Sequence, residues 1–510
     1  MPAHILAIDQ GTTGTAAFVF AAGTRRGRGP KDASSDEALR IRGHADQEFP
    51  QRFPKPGWVE HDADDIWKCT EAVVRKALRA AKLTPDRLQA VGITNQRETV
   101  VAWDARTGKP LTRAIVWQDR RTSSRCDELR KEGLETFLRE RTGLVTDPYF
   151  SATKMEWMLQ NVPAVQRAAA KGTLRFGTID SFLVSRLTGG AAHVTDPSNA
   201  SRTMLYDLDR RGWSDELAKL FHVPMQALPS LATSSGEIAF TDEKAFGARV
   251  PISGIAGDQQ AALFGQACYQ PGEAKNTYGT GSFLLMNTGA KRPSSKRLLS
   301  SVAWDVGGKV EYALEGSIFT TGASVQWLRD GLGLVKKAAE SEKLARSVKD
   351  TGGVRFLPAL AGLAAPHWDA EARGTLTGLT RGTTRGHLVR AVLEATAYRS
   401  AEVLAAMRED SGVDVRTLRV DGGGSENGFL MQFQADILGV PVERPRVSET
   451  TALGAAALAA LGAGVFASRA EVANAWRLAK RFEPKLDERE RTRRLDDWRA
   501  FVQGARALYR

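Results

Sequence analysis

The sequence is poor in the residues and patterns on which several large classes of chemistry depend. It has three cysteines, Cys69, Cys126 and Cys268, far apart and without a CxxC pair. Such an odd, scattered set argues against a disulfide framework and reads as thiols in a reducing compartment. The seven histidines show no HxxxH or similar ligand spacing and no GxSxG elbow occurs, which argues against a zinc hydrolase and a serine esterase. GxxxxGK[ST] is missing too, so a Walker-type nucleotide site is not expected. No secretory signal is visible, because the apolar start Ile5-Leu6-Ala7-Ile8 runs straight into Asp9. The longest uncharged stretch, Thr450 to Ser468, is dominated by Ala and Gly rather than by strongly apolar residues. It reads as a closely packed core helix and not as a membrane span. A cytoplasmic protein without integral membrane association is expected.

Charge of one sign is in modest excess. The net charge is +12, yet 71 Lys and Arg are scattered among 59 Asp and Glu, which suits an Arg-rich solvated surface better than a nucleic-acid interface. No nucleic-acid partner is expected. A length of 510 residues exceeds what one core supports, so at least two domains are predicted.

The N-terminus reads as strand, tight turn, strand: Ile5 to Ile8, then Asp9-Gln10-Gly11-Thr12-Thr13-Gly14-Thr15, then Ala16 to Phe20. The pattern recurs at Lys275 to Tyr278, Gly279-Thr280-Gly281-Ser282 and Phe283 to Met286, as if one architecture were used twice. Alternating apolar strands and helix-period segments follow each turn and predict an α/β fold. Asp62 to Leu83 reads as an amphipathic helix. Leu88 to Thr94 reads as a strand that delivers Asn95-Gln96-Arg97-Glu98 to its end. Leu388, Val392, Ala395 and Val403 share a helix face, and Leu418 to Val420 is a strand running into Asp421-Gly422-Gly423-Gly424. A boundary near residue 265 divides the chain into domains 1–265 and 266–510. Gly23 to Asp36 reads as an exposed loop, and Lys480 to Arg494 as a solvated helix face.

Phosphoryl transfer requires donors around the nucleotide phosphates, a Mg2+ site and a carboxylate that orients or deprotonates the attacking hydroxyl. The first turn can aim backbone N–H groups and the Thr12 and Thr13 hydroxyls at phosphate oxygens, with Asp9 holding Mg2+ directly or through water. A glycine-rich hairpin is often only a hairpin, but Gly279 and Thr280 supply a second one. Asp258 follows the apolar strand Ile252 to Ala256, where it could take a proton from a substrate hydroxyl or serve as a helix N-cap. Arg97-Glu98 suits a polyol, although a surface ion pair is the commoner explanation, and Trp117, Tyr149 and Phe283 are each more often core aromatics.

Together these residues resemble the FGGY carbohydrate kinases, a family of the actin-like ATPase superfamily, and within it the members that act on glycerol. The likeness covers nearly the whole chain: Ile8 to Thr13, Pro54 to His61, Gly92 to Glu98, Ala114 to Thr122, Tyr149 to Lys154 with Trp157, Asn199 to Met204, Ser253 to Gln260, Gly322 to Leu328 and Met431 to Asp436. The resemblance implies two ribonuclease H-like domains flanking a cleft and transfer of the ATP γ-phosphoryl group to glycerol with Mg2+. It implies a glycerol pocket of Arg97, Glu98, Trp117, Tyr149, Asp258, Gln259 and Phe283, with Asp258 as base. Thr12, Thr13 and Thr280 match phosphate-contacting positions, beside Gly279. Gly322, Gln326, Gly423 and Asn427 match positions lining the nucleotide site. A homo-oligomer stays open.

The chain departs from the family pattern after Thr13, where Gly14-Thr15-Ala16 replaces the usual Ser-Ser-Arg and removes a cation often found near the phosphates. The 23–36 loop looks longer than usual. The region before Arg249 lacks the full glycine-rich pattern linked in some bacterial relatives to inhibition by fructose 1,6-bisphosphate, which puts that control in question. Two alternatives remain: an FGGY kinase of another polyol or sugar, and a non-catalytic nucleotide-binding protein of the actin-like type.

Overall fold

The computed structural model describes residues 2–23 and 38–509, so Thr24 to Asp36 of the expected loop lie outside the described residues. Its centre is one thirteen-stranded sheet. In chain order the strands are β1 (Ala3–Gln10), β2 (Gly14–Ala22), β3 (Leu39–Glu48), β4 (Ala90–Asn95), β5 (Ser235–Phe240), β6 (Pro251–Gly257), β7 (Glu273–Tyr278), β8 (Ser282–Gly289), β9 (Leu299–Val306), β10 (Lys309–Ile318), β11 (Thr417–Asp421), β12 (Val442–Pro445) and β13 (Leu478–Phe482). Five helices matter most here: α1 (Ala63–Ala81), α2 (Asp258–Gly265), α3 (Arg385–Ser411), α4 (Gly428–Leu438) and α5 (Thr450–Gly462).

The sheet contains the same unit twice. β1 lies between antiparallel β2 and parallel β4, with β3 beyond β2 and β6 beyond β4. β7 lies between antiparallel β8 and parallel β11, with β10 beyond β8 and β12 beyond β11. The duplication expected from the two glycine-rich turns is therefore present in strand order and polarity. The units meet where β5 and β9 share one bridged pair, Ser235 with Val306.

Alternation along β1 sends Ile5 and Ala7 to one face and Leu6 and Ile8 to the other. Both faces are covered. α1 buries Ile66, Val73, Val74 and Leu78 on the Leu6 side; it starts at its Asp62 N-cap and ends at Lys82 in the left-handed region, which matches the amphipathic helix predicted there. On the Ile5 side lies α5, the alanine-rich segment, and its composition now has a reason. A Cβ on Gly92 of β4 would sit 2.2 Å from the Ala455 carbonyl, and one on Gly454 of α5 would sit 1.8 Å from the Ala261 carbonyl of α2. Only small residues allow backbones to approach so closely. No helix among the described residues is long and apolar enough to cross a membrane. In the second unit, α3 and α4 cover Ala274 and Tyr278 of β7 and Leu418 and Val420 of β11.

The C-terminal charged run is only partly as expected. Lys480 to Phe482 belong to edge strand β13, and the helix begins at Glu488, because pairing of Val442 with Phe482 and Glu443 with Arg481 holds this stretch extended. Within the run, Glu488 to Arg494 of that helix are exposed or half-buried, as expected; farther along, Trp498, Phe501 and Val502 are buried.

Candidate active site

The chemistry-bearing residues gather where strands end. Asp9 is near the end of β1, Arg97 and Glu98 follow β4, and Asp258 follows β6; Gly279 and Thr280 follow β7, and Gly422 to Gly424 follow β11. Parallel strands drop their connecting loops at one edge, so the repeated unit brings two such sets together. In the first turn Gly11 N–H donates to the Gly14 carbonyl at 2.9 Å, and in the second Gly279 N–H donates to the Gly281 carbonyl at 2.9 Å. Gly14 is required by space: a Cβ there would lie 2.7 Å from the Gln47 carbonyl on β3. Thr13 is exposed, whereas the Thr12 hydroxyl accepts a 2.9 Å hydrogen bond from Trp117 Nε1.

Arg97 and Glu98 are buried, not a surface ion pair, at 3% and 1% exposure. Nor do they chiefly pair with each other, since Arg97 Nε is 3.9 Å from Glu98 Oε1. Arg97 forms a fork with Glu315 of β10, Nη1 to Oε2 at 2.5 Å and Nη2 to Oε1 at 3.1 Å, and its Nε lies 3.1 Å from Asp258 Oδ1. Glu98 instead accepts from Arg202 Nε at 2.6 Å, and Arg202 Nη2 reaches Glu315 Oε1 at 3.2 Å. Glu98 has φ +62°, and Thr99 N–H closes onto the Arg97 carbonyl at 2.8 Å. A left-handed conformation at a residue with a Cβ is costly and persists where surrounding contacts impose it.

Asp258 is the first residue of α2 and the N-cap position belongs to Gly257, so the capping role does not claim its side chain. Its carboxylate accepts from Gln259 N–H at 2.6 Å. Burial pushes its pKa up, against the pull of Arg97 and Lys275. Lys275 of β7 donates to Gln259 Oε1 and, at 3.0 Å, to Thr277 Oγ1, tying the second unit to α2. Burial lowers the Lys275 pKa to about 8. Asp9 is pushed up to about 7 by burial and by the Asp258 and Glu449 carboxylates.

The aromatic residues stand round this polar centre. Trp117 and Tyr149 meet edge to face at 5.5 Å, and the Arg202 guanidinium lies 5.5 Å from the Tyr149 ring. Buried Lys154 donates to the Tyr149 and Phe150 carbonyls at 2.5 and 3.0 Å. Phe283 is opposite Thr277 and Ser317 in the sheet, two positions along from the aligned Lys275, Leu285 and Glu315, and so shares their face.

The positions expected at the nucleotide form a second group. Gly322 N–H donates to the Gly279 carbonyl at 3.1 Å, and a Cβ on Gly322 would lie 2.4 Å from that oxygen. Gly422, at φ +78°, would place a Cβ 2.6 Å from the Tyr278 carbonyl, so the turn after β11 is pressed against the end of β7. Gly423 is open on its Cβ side and Gln326 is exposed. Asn427 caps α4, accepting from Leu430 N–H at 3.0 Å, and donates to Ser341 Oγ at 3.1 Å. Neither Gln326 nor Asn427 is hydrogen-bonded to the phosphate turns; Val325 and Phe429, their neighbours, share a small apolar cluster.

Glu315, Arg202 and Lys275 escaped the sequence reading of the site. Two carried a signal: Glu315 and Lys275 are single charges inside otherwise uncharged runs, Tyr312 to Ile318 and Ala274 to Met286. Arg202 lies in the recognised run Asn199 to Met204 but carried no role of its own.

Residues 4–265 match the N-terminal domain of the FGGY family of carbohydrate kinases and residues 274–463 match its C-terminal domain. The chain is 54% identical over 500 residues to glycerol kinase 2 of Thermotoga maritima, covering 98% of each chain. It is 55% identical over 500 residues to glycerol kinase of Dechloromonas aromatica, covering 98% of this chain and 97% of that one. Among solved structures, a glycerol kinase of Plasmodium falciparum with ADP superposes with a TM-score of 0.91 at 35% identity, covering 99% of this chain and 98% of that one. The duplicated unit, the two turns and these full-length matches lead to one conclusion: the chain belongs to the FGGY family of carbohydrate kinases.

Proposed function

We propose that the protein transfers the γ-phosphoryl group of ATP to a terminal hydroxyl of glycerol, giving sn-glycerol 3-phosphate and ADP. The observation that carries this reading is Asp258: its carboxylate stands 3.1 Å from buried Arg97 and within electrostatic reach of both Asp9 on β1 and Lys275 on β7. A base in that position faces an acceptor held by Arg97 and Glu98 while the two turns present the nucleotide phosphates. The glycerol kinases matched over nearly full length, one of them with ADP, support the choice of acceptor and nucleotide.

Arg97, Glu98 and Gln259 supply donors and acceptors for vicinal hydroxyls, and Trp117, Tyr149 and Phe283 cover the carbon chain. Asp258 takes the proton of the attacking hydroxyl, and backbone N–H groups of the turns with Thr13 and Thr280 hold the phosphates. Thr12 accepts from Trp117 and keeps its own O–H free to donate to a phosphate oxygen. Gly322, Gln326, Gly423 and Asn427 border the rest of the nucleotide, Asn427 through the backbone it fixes. Asp9 would hold Mg2+, which supplies charge neutralisation at the phosphates. The residues fit a cation to the extent that the Asp258 and Glu449 carboxylates add negative charge near buried Asp9. Among the described residues no group of three or more His, Cys, Asp or Glu is placed to hold a metal ion, so phosphate and water would have to complete its shell. Domains 1–265 and 266–510 close over the site in a cytoplasmic enzyme.

Turnover by Asp258→Asn decides the central point. Phosphorylation of glycerol should fall by about 10² to 10⁴-fold, with ADP affinity changed little; a variant that keeps wild-type turnover refutes Asp258 as base.

A further inference from the structure

Arg97 and Glu98 occupy the acceptor site but are held by partners from elsewhere in the chain. Each ion pairs with the opposite charge of another segment: Arg97 with Glu315, Glu98 with Arg202, and Arg202 with Glu315. With the longer Arg97–Glu98 contact of 3.9 Å closing it, the result is a ring of two cations and two anions, all four residues no more than 3% exposed. Arg97 and Glu98 follow β4 of the first unit, whereas Glu315 lies on β10 of the second. We propose that Glu315 is a positioning residue that fixes the Arg97 guanidinium between base and acceptor, so the pocket is complete only when the second unit docks. This rests on the glycerol kinase reading above.

Three observations support it. Burying such a ring is costly and stabilises a fold weakly at best against an apolar replacement, so stability alone is a poor reason for it. The Arg97–Glu315 contact uses both Nη atoms, which sets the plane of the guanidinium and leaves Nε for Asp258. Although burial opposes it, Arg202 and Arg97 hold the Glu315 pKa down at about 2, so the anchor stays charged throughout the working pH range. Without Glu315, Arg97 turns toward Asp258 and Glu98. It then leaves the acceptor and lowers the Asp258 pKa, and loss of the nearby Glu315 charge acts in the same direction.

The test compares wild type, Glu315→Gln and Glu315→Asp, with acceptor and ATP varied separately across pH. For Glu315→Gln the acceptor KM should rise at least about tenfold, a difference of about 1.4 kcal/mol, while the ATP KM stays within about twofold. The acid limb of kcat should move to lower pH. Glu315→Asp keeps the charge but is one methylene too short for both arginines, and should show the same pattern more weakly. If Glu315→Gln does not fold, Glu315→Asp decides. Acceptor and ATP KM shifting together, or an unmoved acceptor KM with an unmoved acid limb, would overturn the proposal. Wild type is first assayed on a series of polyols and whichever it phosphorylates is used. A wild type that phosphorylates none sinks the functional reading and the proposal with it, whereas an active wild type matched by Glu315→Asp sinks the proposal alone.

Discussion

At the scale of single residues, burial and neighbouring like charge make the charged form of Asp9 unfavourable. Its folded pKa of about 7 lies above the ordinary 3.8, so the folded state binds a proton that the unfolded chain has lost between those values. Stability is undiminished below 3.8 and is lost as pH rises through 7. Asp9→Asn removes the charge, so its stability without ligands should gain on wild type from pH 4 to 7 and hold that lead above, by up to about 4 kcal/mol, read as a growing difference in melting temperature, while turnover collapses. A lead that does not change with pH would show that burial and the Asp258 and Glu449 carboxylates do not hold the Asp9 pKa up.

Individual residues also differed in how far they could be read. The Asp258 position was legible because an apolar strand ran directly into it. Whether it served as N-cap or base could not be read, since that depends on which residue starts the helix, and Gly257 takes the capping position. Arg97-Glu98 looked like a pair because the residues are adjacent. Their partners, Glu315 and Arg202, are 218 and 104 residues away along the chain, and no local pattern encodes such a contact. Asn427 showed the converse, a residue matched to the nucleotide whose side chain is occupied in holding a helix end.

At the scale of elements, glycine and alanine in α5 are geometric requirements. Gly454→Ala would force a Cβ to within 1.8 Å of the Ala261 carbonyl, which is backbone and cannot step aside. It should cost at least about 2 kcal/mol, seen as a clear fall in melting temperature. Gly504 lies in the helix Glu488–Ala507 with nothing within 4 Å of a built Cβ. Gly504→Ala should therefore stabilise by up to about 1 kcal/mol. Equal effects of the two substitutions would contradict the close packing of α5 on α2. Composition showed that this segment is a helix that packs closely. Its support, β4 and α2 of the first unit, lies far upstream and was not readable.

At the scale of the whole molecule, one sheet carries two repeats whose strands join through a single bridged pair, while α5, the Arg97–Glu315 and Arg202–Glu315 ion pairs and the Lys275–Gln259 bond also connect the halves. On the proposed function the halves close further when ligands bind, which would shield the phosphates from water. Small-angle scattering should show a smaller radius of gyration with a non-hydrolysable ATP analogue, Mg2+ and glycerol than without ligands. An unchanged radius would exclude closure on that scale.

The sequence by itself determined the two glycine-rich turns, the strands that present them, the α/β class and the carboxylate at the start of α2, because each depends on local period, turn chemistry and neighbouring residues. Only the tertiary structure decided which charges meet. The ring of Arg97, Glu98, Arg202 and Glu315 and the tie from Lys275 to Gln259 join segments that become neighbours when the two units share one sheet, and burial then turns ordinary side chains into a preorganised site.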